Sequence, residues 1–239
     1  MPPRSLWSLV AFGGVLATGC STVLPAQTAS TVAPGAYRLG AQLSASPWCG
    51  MSFPPQCASL PNGIPVPELK LSGRHGISDG VDLGLTASAS ATLPGGSFSF
   101  DARPASVRLG VMVDGKAEVW SRPARGGRHL ISAGGGAGFV SESSIAELQL
   151  SIPLWYGFQF ADGKELFAGP RYVQRMSFED IDGDGRRESL QMPSLGLSVG
   201  YASSGPVRFV GALEYFASTT YPTAGTFSLS AGVLWDVGG

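Results

Sequence analysis

Residues 146–160 read AELQLSIPLWYGFQF. Apolar side chains fall on every second position: Ala146, Leu148, Leu150, Ile152, Leu154, Tyr156, Phe158 and Phe160. The positions between them, Glu147, Gln149, Ser151, Pro153, Trp155, Gly157 and Gln159, are mostly polar or small. Strict period-two alternation marks a strand with two different faces. Its length is well beyond the about five or six residues usual for soluble strands. Such a strand needs surroundings that are oily on one side and wet on the other along its whole course.

The same alternation recurs ten times along the chain. Leu39, Ala41 and Leu43 oppose Arg38, Gly40 and Gln42; Leu69 and Leu71 oppose Glu68, Lys70 and Arg74; Leu83 and Leu85 oppose Asp82 and Gly84. A long fourth segment, 107–120, sets Leu109, Val111 and Val113 against Arg108, Asp114, Lys116 and Glu118. The fifth, 129–140, is thin because ISAGGGAGF is nearly all small. The 146–160 stretch is the sixth. In the later segments Arg171, Arg175, Arg208 and Glu214 share parity with the polar sets. Composition agrees with strands throughout. Gly 34 is poor for helices, at about 1 kcal/mol per residue against alanine. A net charge of −1 offers no electrostatic case for nucleic acid.

The connections alternate between tight and loose. GISDG (76–80), RPARGG (122–127), ADGK (161–164) and SSGP (203–206) are short turns. Longer links lie between them, at 46–65, 91–104, 179–189 and 219–224; the link at 141–144 is short where a long one is due. Short turns at one end and long loops at the other describe a transmembrane barrel, whose closure pairs every backbone N–H and C=O. The expected fold is therefore all-β, a single antiparallel up-and-down transmembrane β-barrel of about ten strands, within eight to twelve. Its oily face meets lipid and its charged face lines the lumen. On this topology Tyr37, Tyr156, Phe158, Phe160, Phe167, Tyr201 and Trp235 form a girdle near the turns, and Phe139, Tyr172 and Tyr215 form another at the far rim. The alternative is a soluble barrel with these faces reversed, holding a ligand.

The N-terminal MPPRSLWSLVAFGGVLATGC has Arg4, an apolar run from Leu6 to Ala17, and small residues before Cys20. It reads as a targeting segment. Its ending, LATGC, resembles a bacterial lipoprotein signal, in which the cysteine is lipidated and becomes the first residue. An ordinary secretory signal cut nearby is the other reading. The expected organisation is a signal at 1–19, a Ser/Thr/Pro-rich tether at 20–35 and a barrel at 36–239. Cys49 and Cys57, in PWCGMSFPPQC, suit a small disulfide loop in an oxidising compartment. Over about residues 36–237 the pattern resembles the small outer-membrane β-barrel proteins of Gram-negative bacteria, particularly lipoprotein-type barrels. It departs from them at the end, where Trp235 is followed by Asp236, Val237, Gly238 and Gly239 instead of a terminal aromatic. The resemblance implies outer-membrane lipids, the lipoprotein-processing machinery and the barrel-assembly machinery as partners.

Three motifs bear on chemistry. FEDIDGDGRRESL places Asp180, Asp182 and Asp184 at spacing two before Gly185, with Glu188 at the ninth position of a calcium-type loop. Position twelve is Gln191, so Ca²⁺ binding there would be weak; a solvated acidic hairpin tip is the competing reading. GLSVG (196–200) matches G-x-S-x-G, but Ser198 sits inside continuous alternation and not at a strand–turn–helix elbow. AGGGAG (133–138) lacks the Lys-Ser/Thr of a phosphate loop and reads as a thin strand. The lumen set is Arg38, Lys70, Arg74, Asp82, Arg108, Glu147, Arg171, Arg175, Arg208 and Glu214; with Lys116, Glu68, Asp114, Glu118 and Glu165 on the same parity it is near balance in sign. Its signs permit pairing as a plug or the lining of a narrow polar path. The expected function is non-enzymatic: structural, surface-interacting or passing small solutes and ions; besides the soluble ligand-binding barrel, an outer-membrane hydrolase acting at the barrel rim is the alternative. No catalytic residue and no cofactor beyond weak Ca²⁺ is expected.

Overall fold

The structure is a computed structural model of the chain. It describes residues 27–46, 66–92, 106–142, 145–179, 188–219 and 225–238. Ten strands follow one another: β1 (Tyr37–Ser46), β2 (Val66–Ser78), β3 (Val81–Thr92), β4 (Ser106–Ala124), β5 (Gly127–Glu142), β6 (Ile145–Phe160), β7 (Glu165–Glu179), β8 (Glu188–Ala202), β9 (Val207–Ser218) and β10 (Gly225–Val237). Each pairs antiparallel with its chain neighbours, and β1 pairs with β10 from Tyr37↔Val237 to Ala45↔Leu229, which closes the barrel.

The 161–164 and 203–206 turns have the expected bounds, and the other two hairpins are tighter than the sequence suggests. β2 runs on to Ser78 and β4 to Ala124, leaving only Asp79-Gly80 and Arg125-Gly126 as turns. Gly80 (φ 72°) and Gly126 (φ 83°) take the left-handed conformation that a two-residue connection demands. β4 bends at a bulge between Glu118 and Trp120. The glycine run of β5 is thin for a reason visible in its neighbours: a Cβ on Gly136 would lie 2.8 Å from the Asp114 Cβ, and one on Gly138 2.7 Å from the Val111 carbonyl oxygen.

The faces are sorted as the alternation demands. Phe209 is 67% exposed while its neighbour Arg208 is 4% exposed; Leu197 is 58% exposed beside Ser198 at 2%. Leucine, valine and isoleucine cover the outside from β1 to β10, and the buried set is dominated by Arg, Lys, Asp, Glu, Gln and Ser. This inverts the arrangement of a soluble barrel. Outward aromatics include Tyr37, Tyr156, Tyr201 and Trp235 toward the turns and Phe139 and Phe178 toward the loops. Two expected girdle members differ. Phe167 points inward and is 2% exposed, since it shares parity with Glu165 and Arg171. Tyr172 faces outward but at the midpoint of β7. Phe167 joins Leu130, Trp155, Ala202, Val210, Ala212 and Leu234 in an apolar cluster inside the barrel, around Ala29.

Candidate functional site

Near the turn end of the lumen, Arg74 on β2 spans two carboxylates. Its Nε and Nη2 donate to Asp82 Oδ1 at 2.9 and 2.5 Å, and its Nη1 donates to Asp114 Oδ2 at 2.6 Å. Gly84 makes this packing feasible, because a Cβ there would lie 2.7 Å from both Arg74 Nη1 and Asp114 Oδ1. Lys116 Nζ stands 3.8 Å from Asp82 Oδ2, Arg208 Nη2 stands 3.6 Å from Glu165 Oε2, and Arg38 forks onto Asp236 at 2.5 and 3.2 Å. Farther along the strands, Arg171 Nη1 lies 3.1 Å from Glu214 Oε1, which also accepts from Ser198 Oγ at 2.8 Å. Lys70 pairs with Glu68 at 3.4 Å, and Arg108 with Glu147 at 3.4 Å, where Gln149 Nε2 donates as well. Charges removed from water persist only when paired and hydrogen-bonded, and the alternation turns these side chains to one interior where they can meet.

The chain itself completes the turn-side half. Residues 27–32, within the stretch expected as tether, run inside the barrel before β1, with Gln27, Thr28, Ala29, Ser30 and Val32 buried, and the chain leaves it at the exposed Ala33 and Pro34. Their backbone is held by wall side chains. Glu165 Oε1 accepts from the amides of Ala29 (2.5 Å) and Ser30 (3.1 Å), and its Oε2 accepts from Ser30 Oγ at 2.7 Å. Lys116 Nζ donates to the carbonyls of Thr28 (2.9 Å) and Ser30 (2.7 Å). Ser132 Oγ donates to the Ala29 carbonyl, Asp82 accepts from the Val32 amide, and Gln27 Nε2 donates to Asp114. At the rim, Gly35 N donates to the Gly76 carbonyl and Gly76 N to the Ala36 carbonyl. A cavity of about 20 Å³ remains beside the segment, lined by Gln27, Arg38, Gln42, Arg74 and Lys116 among others, which is room for about one water.

The ten lumen charges named from sequence all lie in the interior, Arg108 somewhat less buried than the rest. Ser198 lies within β8 and is tied to an arginine-paired carboxylate. His75 and His129 are near the turns on outward parity, His75 stacked on Tyr37 and His129 Nδ1 2.6 Å from the Tyr156 hydroxyl. Cys20, Cys49, Cys57, Asp180, Asp182 and Asp184 lie outside the described residues, and of Glu188 only the backbone pairing with Glu179 is described. Sequence reading missed the 27–32 segment as a part of the interior. Its one usable signal was Trp155 and Phe167 standing on lumen parity, where a water-filled interior has no use for them. In the β6–β7 turn, outside the strands, the Lys164 side chain hydrogen-bonds Asp162; this holds the Asp162 carboxyl below its ordinary value and raises Lys164.

No protein-family model matches the chain. No curated protein matches it either. Solved structures of similar shape include LpxR from Salmonella typhimurium, with 12% identity over 83% of this chain and 99% of that one at TM-score 0.43. The translocator domain of autotransporter NalP from Neisseria meningitidis has 9% identity over 97% and 96% at TM-score 0.41. The outer-membrane expressed OmpT of Vibrio cholerae has 10% identity over 90% and 100% at TM-score 0.32.

Proposed function

We propose that this chain is a non-enzymatic barrel of the bacterial outer membrane that rests closed and serves a structural or surface-interaction role. The observation that carries the reading is the continuous apolar exterior wrapped around a charge-paired interior. In water that exterior would be far larger than the few hundred Å² of apolar patch a soluble monomer tolerates; in lipid it costs nothing. Strands of 10 to 19 residues are long enough to cross at a tilt. The short turns would face the periplasm with both ends of the barrel, and a lipidated Cys20 would anchor the chain on that side. The non-enzymatic part of the reading rests on Ser198, whose carboxylate partner is neutralised by Arg171 and so is a poor base. Minor passage of ions or small solutes would require the interior to open.

The test is a gel comparison of boiled and unboiled outer-membrane fractions probed for this protein. The expected result is a mobility shift on boiling, as a closed barrel resists the detergent until heated. An unshifted band, together with release of Cys20→Ala protein into the soluble periplasm, would overturn the membrane reading.

A further inference from the structure

We propose that the turn-side half of the lumen is a binding site for an extended polypeptide segment of small residues, and that residues 27–34 are its resident, displaceable ligand. The inference deepens the closed-barrel reading above and rests on it.

Three observations point to a docking site and not to a part of the wall. First, the wall is complete without the segment: β1 closes on β10, and the segment's backbone meets that of the wall in a single isolated bridge, Pro34↔Gly76, among the described residues. Second, recognition is of peptide backbone. A carboxylate, Glu165, takes two successive amides, an ammonium, Lys116, takes two carbonyls, and Ser132 and Asp82 take one group each. Both charged groups also face wall partners, Arg208 and Asp82. Departure of the segment therefore leaves paired ions that water can reach, not orphaned ones. Third, the wall is cut away to fit. A Cβ on Gly157 would lie 2.7 Å from the Ala29 Cβ, and one on Gly76 would run into the Ala33 carbonyl and lie 2.7 Å from the Val32 oxygen. With Leu130, Trp155 and Phe167 around it, the Ala29 position admits only a small side chain. The segment supplies little apolar surface of its own, so polar contacts hold it, and those exchange with water readily.

The experiment uses the full chain refolded in detergent, with Cys20, Cys49 and Cys57 replaced by serine and Ser132→Cys as a reporter on the wall. Ser132 is fully buried beneath the segment. The reporter is expected to resist a membrane-impermeant maleimide. Adding Ala29→Leu overfills the site and should speed labelling at least about tenfold as the segment leaves. A synthetic peptide with the sequence of residues 27–34, QTASTVAP, should then restore protection. Rapid labelling before Ala29→Leu, unchanged protection after it, or no effect of the peptide would each overturn the proposal. The boiling shift is run on every variant: its loss from the parent chain counts against the barrel itself, and its loss from Ala29→Leu alone is met by repeating the series with Lys116→Met, which removes two carbonyl contacts.

Discussion

Arg74 concentrates the residue-scale energetics. One guanidinium, 7% exposed, is shared by Asp82 and Asp114, which are 0% and 4% exposed. Removing one member of a buried ionic set strands the others, at about 3–5 kcal/mol, whereas replacing the whole set with neutral groups is often close to neutral. Arg74→Met should therefore lower barrel stability by about 3–5 kcal/mol. Arg74→Met combined with Asp82→Asn and Asp114→Asn should recover part of that loss, Lys116 being left without its carboxylate. Reversible urea unfolding from lipid vesicles measures both; equal losses in the single and triple variants would mean the carboxylates are already hydrated. Gly84 belongs to the same argument, since only a residue without a Cβ leaves the guanidinium its place.

At the scale of elements, β8 states the case for lipid most directly. Leu195, Leu197 and Val199 are all more than half exposed, and Ser194 and Ser198 between and beside them are buried. Leu197→Arg should cost about 2–4 kcal/mol in vesicles if that face meets the bilayer interior. On a water-facing surface the same change would stay within about 0.5 kcal/mol, so unfolding of this one variant separates the two solvents. The strands and their faces were legible in sequence because period-two alternation is dictated by the pleat itself, and a one-residue slip would reverse every side chain. Strand ends shifted by a few residues because a two-residue turn lets the ladder continue into what reads as loop, as at Ser78 and Ala124. Parity also located the interior charges, Arg171 and Glu214 among them, but not which partner each would meet. That depends on register across strands distant in sequence. Residues 27–34 were illegible for a different reason: a segment held through its backbone needs no periodicity and shows none.

For the whole molecule, the question is whether a closed wall encloses an open path. A barrel of ten strands is narrow, and here long side chains cross it in pairs while residues 27–32 fill the end near the turns. The cavity lined by Arg74 and Lys116 beside that segment is about 20 Å³, about one water's worth, and a hydrated ion needs several times that. An ion crossing there would have to displace the Arg74 and Lys116 contacts together with the backbone bonds they support. The intact chain inserted into planar lipid bilayers should accordingly hold its current near the baseline, with at most brief openings. A steady conductance from every inserted molecule would mean the interior pairs part under ordinary conditions, and the resting role would then be passage. Baseline current alongside a persistent boiling shift fits a barrel whose charged interior is built to hold shape and to keep one end shut.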